Sequence, residues 1–214
     1  MENVLVLQGG GSQGSFGCGV YKALAKNNIK LDIIAGTSIG GVNAAIIAGS
    51  KNEKPEKAIE EFWLEIGENS INIDTYFNAS SLFMDYYSSL SYLPTIANYS
   101  NLRSLLSFYS SSLYGNKAMF LPRWRSDLIS NNQGFSNPTK WTYLYDNSPL
   151  AKTLEKYIDY EKLTPTGERK ANGHLIIAAV NVLTAEPLIF DSSIHKITSN
   201  HILVASRYPF YFLP

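Results

Sequence analysis

The chain opens on an apolar run, Val4-Leu5-Val6-Leu7, cut off by three glycines. A short continuous run of this kind predicts a buried strand over residues 3–8. Residues 15–27 then follow a helical period, with Phe16, Val20 and Leu24 on one face at i, i+4 and i+8. Leu31 to Ala35 predicts a second strand. Ile39 to Ala48 predicts a second helix, whose Gly41, Ala44, Ala45 and Ala48 permit close contact with neighbours. Pro55 suits the first turn of a third helix, where its missing N–H is not needed, and Ile59, Phe62, Trp63 and Ile66 give that helix an apolar stripe. Ser148-Pro149 reads as the N-cap and first residue of a further helix carrying Leu150, Leu154 and Ile158. His174 to Leu183 and Pro187 to Phe190 predict a hairpin turning at Thr184-Ala185-Glu186. Thr198 to Ser206 predicts a last helix with Ile202, Leu203 and Ala205 inward. The βαβα order at the front predicts an α/β fold, a central, mostly parallel sheet flanked by helices.

Residues 70–147 break this pattern. Eleven of the 14 tyrosines fall between Tyr76 and Tyr160, among many Ser and Asn. The segment is expected to be an insertion or cap of short helices and loops over one end of the sheet, within a single domain spanning 1–214. Its aromatics read first as core-forming residues. A lipid-facing surface over 76–114 is the second reading, since tyrosine suits a boundary that is wet on one side and apolar on the other.

Bulk composition narrows the class. A chain of 214 residues, 45% hydrophobic and 17% charged, is long enough for a sizeable core. Its formal net charge is zero, which lacks the footprint of a nucleic-acid binder, so no nucleic-acid partner is expected. The single cysteine, Cys18, excludes an internal disulfide and reads as a small buried residue. No basic-then-apolar leader precedes the first strand, and no apolar run approaches the ~18 residues of a membrane-spanning helix. The chain is therefore expected in the cytoplasm or at a membrane surface, with peripheral membrane contact open. No Cys or His spacing matches a metal site.

Two glycine-framed turns carry the candidate chemistry. Gly9-Gly10-Gly11-Ser12-Gln13-Gly14 follows the first strand, and Gly36-Thr37-Ser38-Ile39-Gly40 follows the second. In a Gly-x-Ser-x-Gly turn between strand and helix the serine is held with its Oγ clear of the sheet, at a helix N-terminus that favours developing negative charge. Gly9, Gly10 and Gly11 can aim successive N–H groups at one point, as an oxyanion requires. A competing reading is a nucleotide-binding or non-catalytic interaction module. Gly9, Gly11 and Gly14 match the dinucleotide fingerprint, and Asp32 lies near the distance expected of a ribose-binding acid. Against it, Asp32 precedes the second strand, whereas a ribose-binding acid belongs at that strand's far end. A Ser-His-Asp hydrolase would need one of His174, His195 or His201, and each reads as a structural polar residue.

The two turns together resemble the patatin-like phospholipases, nearest to the bacterial-type branch with Gln, here Gln8, before the three glycines. Asp32-Ile33-Ile34-Ala35, Gly41-Val42-Asn43-Ala44-Ala45 and His201 through Pro209 are similar to the family as well. The resemblance implies a three-layer α/β/α fold and lipid acyl-ester hydrolysis without cofactor or metal. It assigns Ser38 as nucleophile, Gly9, Gly10, Gly11 and Ile39 to the oxyanion hole, and Gly14, Gly36 and Gly40 as motif glycines. Gln13 stands where the family commonly has a basic residue. The family's general base is an aspartate followed by glycine. None of Asp32, Asp74, Asp85, Asp127, Asp146, Asp159 or Asp191 is so placed. No base is therefore assigned within the chain, and an Asp-Gly pair is expected soon after Pro214.

Overall fold

The computed structural model describes residues 2–70, 111–124, 143–165, 171–208 and 211–212. In chain order the elements are β1 (Val4–Leu7), a 3-10 turn (Gly11–Gln13), α1 (Gly14–Lys26), β2 (Ile33–Thr37), α2 (Ile39–Ala48) and α3 (Pro55–Glu68). Then come β3 (Leu121–Pro122), β4 (Tyr145–Asp146), α4 (Ser148–Tyr157), a 3-10 turn (Tyr160–Leu163), β5 (His174–Val180), β6 (Pro187–Asp191) and α5 (Ser199–Ser206). The main sheet has the order β1-β2-β5-β6, with β1, β2 and β5 parallel and β6 antiparallel. The expected central, mostly parallel sheet flanked by helices is present, and the antiparallel β6 makes it mixed. Pro187 opens the edge strand β6, a position where its missing N–H costs little.

Register places the two glycine turns side by side. Leu7 pairs with Gly36, and Gly36 pairs with Ile177. The chain therefore leaves β1, β2 and β5 at the same end of the sheet. Between sheet and outer helices lies α2, all ten of whose residues are buried. Its small residues let it touch β2, β5, α1, α3 and α5 at once. Phe62 of α3, fully buried, closes the core behind it, edge-on to Trp63 and Tyr157 at 5.6 and 5.9 Å.

Several expectations need correction. β1 is an edge strand buried on one face alone: Val4 and Val6 are 53% and 68% exposed, while Leu5 and Leu7 pack on the core. On α1 the buried face is Gly14, Cys18 and Tyr21, while Phe16 points outward at 78% exposure. β5 ends at Val180, three residues early, because the Asn181 side chain accepts from the N–H groups of Leu183 and Thr184 and turns the chain. The N-cap of α4 is Asn147, and Ser148 instead donates to Asp146 through both its N–H and its hydroxyl. Of the segment 70–147, residues 71–110 and 125–142 lie outside the described residues, and most of the proposed lipid-facing stretch 76–114 with them.

At the end of the sheet away from the glycine turns, Asp191 of β6 pairs with His174 of β5 and accepts from the Ser193 N–H and hydroxyl. Burial works against its charge, but these hydrogen bonds win and hold its carboxyl at about 2. A carboxylate depressed below its unfolded value stabilises the fold fully above ~3.9, and that contribution drains away as pH falls through its folded value. Melting temperature is expected to fall between about pH 4 and pH 2, and Asp191→Asn to flatten that part of the profile. An unchanged slope in the variant would contradict this.

Candidate active site

Ser38 joins β2 to α2. Its backbone lies at φ 54°, ψ −132°, a conformation that L-residues rarely hold. Three hydrogen bonds hold it there. Its N–H donates to the Ala205 carbonyl at 3.1 Å, and its carbonyl accepts from Gly41 and Val42 at 2.9 and 3.2 Å. The Ala205 contact ties the turn to the end of α5. The neighbouring glycines let backbone meet backbone. A Cβ on Gly36 would lie 2.3 Å from the Gly40 oxygen, and one on Gly40 would lie 2.1 Å from the Leu7 oxygen.

The first glycine turn lies directly against this serine. A Cβ on Gly9 would sit 3.0 Å from Ser38 Cβ and 3.6 Å from Ser38 Oγ. Gly10 and Gly11 then take φ 137° and 59°, which reverses the chain into α1. The Gln13 N–H donates to the Gly10 carbonyl at 3.2 Å and closes the turn. Gly14 begins α1 in close contact with Ile39 and Trp63, where no side chain fits. Gly9 thus lies against Ser38, Gly11 and Ile39 border a cavity with it, and Gly14 packs on Ile39.

Two cavities meet at Ser38. The smaller, about 180 Å³, is bordered by Gly11 and Ile39 and walled by apolar side chains, among them Met119, Phe120, Leu150 and Phe212. The larger, about 660 Å³, runs along Thr37, Val180, Asn181, Arg207 and Tyr208. Among the described residues no carboxylate lines either one. Burial pushes the Arg207 pKa down, and its Nε donates to Asn147 Oδ1 at 3.4 Å.

The histidines serve elsewhere. His174 is paired with Asp191, and His195 Nδ1 accepts from the Asp191 N–H at 3.4 Å. His201 caps α5 through Thr198 and lies against Phe190 with ring centroids 4.6 Å apart, and burial lowers its pKa. Cys18 is buried, which pushes its thiol pKa up and keeps it protonated. Asp32 sits before β2, at the opposite end from the glycine turns, and accepts from the Asn3 N–H at 2.8 Å. It cannot meet a nucleotide held at Gly9–Gly14. Among the described residues no group of three His, Cys, Asp or Glu is placed to hold a metal ion.

One residue that supports this arrangement has no signal of its own in the sequence. Asn43, 1% exposed on α2, donates from Nδ2 to the Gly14 carbonyl at 2.8 Å and accepts from Trp63 Nε1 at 3.1 Å. It ties the glycine turn to the helix that starts at Ser38. Asn43→Ala would strand both partners, at about 1–3 kcal/mol each. Urea unfolding should show a loss of about 2–6 kcal/mol; a loss under about 0.5 kcal/mol would show that the tie carries no weight.

The chain is similar to known proteins in sequence and in structure. A stretch of 51 residues, 24% of this chain, is 49% identical to the lysophospholipase nte1 of Aspergillus terreus (strain NIH 2624 / FGSC A1156), of which it covers 3%. Among solved structures, VipD from Legionella pneumophila matches over all of this chain and 43% of its own, with TM-score 0.44 and 18% identity. The type III effector ExoU matches over 96% of this chain and 39% of its own, with TM-score 0.42 and 15% identity. The chain thus spans well under half the length of each of these proteins. The family description of the patatin-like phospholipases matches residues 5–214, nearly the whole chain, and the chain belongs to that family.

Proposed function

We propose that this chain carries the nucleophile and oxyanion site of a lipid acyl-ester hydrolase. The observation that carries the reading is Ser38 held at positive φ at the start of α2, with the Gly9–Gly11 backbone against its side chain. Ser38 Oγ attacks the ester carbonyl carbon. The oxyanion accepts hydrogen bonds from the N–H groups of Gly10 and Gly11, joined by Ile39 and aided by the α2 N-terminus. Gly9 brings the loop close enough. The serine proton passes to a carboxylate acting as general base, on this reading the aspartate of the family's Asp-Gly pair. The lysolipid or alcohol leaves with that proton; water then attacks the acyl-serine and gives its proton to the same carboxylate, which returns it to Ser38 Oγ as the acyl–Oγ bond breaks and the fatty acid leaves.

The cavities suit such a substrate. The acyl chain enters the apolar pocket beside Met119, Phe120, Leu150 and Phe212, and the headgroup lies in the larger cavity, where Arg207 offers a cation. Of a cytoplasmic and a peripheral membrane location, this reading favours the second, since its substrate is a lipid. Among the described residues no helix is long and apolar enough to cross a membrane.

The test is turnover of phosphatidylcholine vesicles and of a soluble short-chain p-nitrophenyl ester by the protein at its full natural length. Hydrolysis of both, with release of fatty acid, is expected. No hydrolysis of either, together with a rise in melting temperature on adding NAD or ATP, would overturn the reading in favour of a binding module.

A further inference from the structure

The tip of the β5–β6 hairpin presents aliphatic side chains to solvent beside the Ser38 cleft. Leu183 is 95% exposed and Val182 59%. This turn is ordered by its own hydrogen bonds. The Asn181 N–H donates to the Glu186 carbonyl at 2.9 Å, and the Ala185 N–H donates to the Asn181 carbonyl at 2.8 Å. Asn181 Oδ1 accepts from Leu183 and Thr184, and Thr184 Oγ1 accepts from Glu186. The N–H groups of 181 and of 183 to 186 are therefore satisfied within the turn. That removes the main cost of moving a loop into hydrocarbon, where an unpaired backbone group costs several kcal/mol.

We propose that this tip is a wedge that enters a phospholipid surface and seats the Ser38 cleft on it. The inference rests on the lipid-hydrolase reading for its choice of substrate. Three observations favour a lipid surface over a protein. The tip is continuous with the larger cavity at Ser38, since Asn181 and Val182 border both. Arg207, whose charge Asp146 offsets in part, and the exposed Tyr208 border the same cavity, which no described carboxylate lines, a combination that suits a membrane interface. Two aliphatic side chains also fall far short of the ~800 Å² per partner that a stable protein interface buries.

The experiment uses the full-length protein carrying Ser38→Ala, so that vesicles stay intact, with and without Leu183→Asp. Flotation with phosphatidylcholine–phosphatidylglycerol vesicles should show at least a tenfold loss of binding on Leu183→Asp, with no change in melting temperature, and Leu183→Trp should restore it. With Ser38 present, Leu183→Asp should leave hydrolysis of a soluble short-chain ester within twofold and cut vesicle hydrolysis by at least tenfold. Vesicle binding that is unchanged by Leu183→Asp, or absent in the parent, overturns the proposal. So does an equal loss on both substrates. Failure of the hydrolase reading looks different: no ester turnover by the protein, whatever the vesicle binding.

Discussion

Ser38→Ala is expected to lower ester turnover by about 10⁴-fold or more, since removing the nucleophile of a comparable dyad or triad forfeits nearly the whole chemical step. The variant should stay folded, because the three hydrogen bonds that fix position 38 all use the backbone. Ser38→Gly should abolish turnover equally and behave differently in stability. Position 38 sits at φ 54°, ψ −132°, where any residue with a Cβ is strained by about 1–3 kcal/mol. Glycine relieves part of that strain and loses part of the gain to its greater unfolded-state freedom, for a net rise of about 1 kcal/mol. Chemical denaturation of the three proteins reads this directly. A Ser38→Gly variant no more stable than Ser38→Ala would mean that the turn holds no strain.

Gly40→Ala should be the most damaging single-methyl change in the described fold. The added carbon would lie 2.1 Å from the Leu7 oxygen and 2.6 Å from the Gln8 oxygen. Both are backbone atoms of β1 and the glycine turn, so no side chain can rotate away. Relief requires α2 to move off β1, which would pull the Gly9–Gly11 loop away from Ser38 and open the core that all ten residues of α2 fill. A loss of at least about 4 kcal/mol is expected, a large share of the 5–15 kcal/mol that holds a domain of ordinary stability. Gly19→Ala is the matched control. Gly19 lies on an exposed face of α1 with nothing within 4 Å of its would-be Cβ, and alanine there should stabilise by about 0.5–1 kcal/mol. Similar stabilities for the two variants would contradict the close contact of α2 with β1.

The elements that the sequence showed most clearly were those whose local signals agree with their surroundings. A strand, a Gly-x-Ser-x-Gly turn and a helix rich in small residues can be read at 33–48 because each signal is local. The burial of β1 could not be read, since Val4-Leu5-Val6-Leu7 is apolar on both faces and only its place at the sheet edge exposes Val4 and Val6. On α1 the large side chains Phe16, Val20 and Leu24 suggested a face, but the buried stripe is Gly14, Cys18 and Tyr21, where small residues let the helix sit close. At the site, Ser38 and the glycines were legible as motifs. Its walls were not: Phe120, Leu150 and Phe212 come from distant parts of the chain and carry no motif. Asn43 was visible only as part of a family-like stretch. Its double hydrogen bond depends on Gly14 and Trp63 meeting in space.

Intact mass after exposure to a fluorophosphonate shows whether Ser38 is an activated nucleophile. The full-length protein is expected to gain one adduct, peptide mapping should place it on Ser38, and Ser38→Ala should gain none. An unlabelled full-length protein, or a label that persists in Ser38→Ala, would contradict the account.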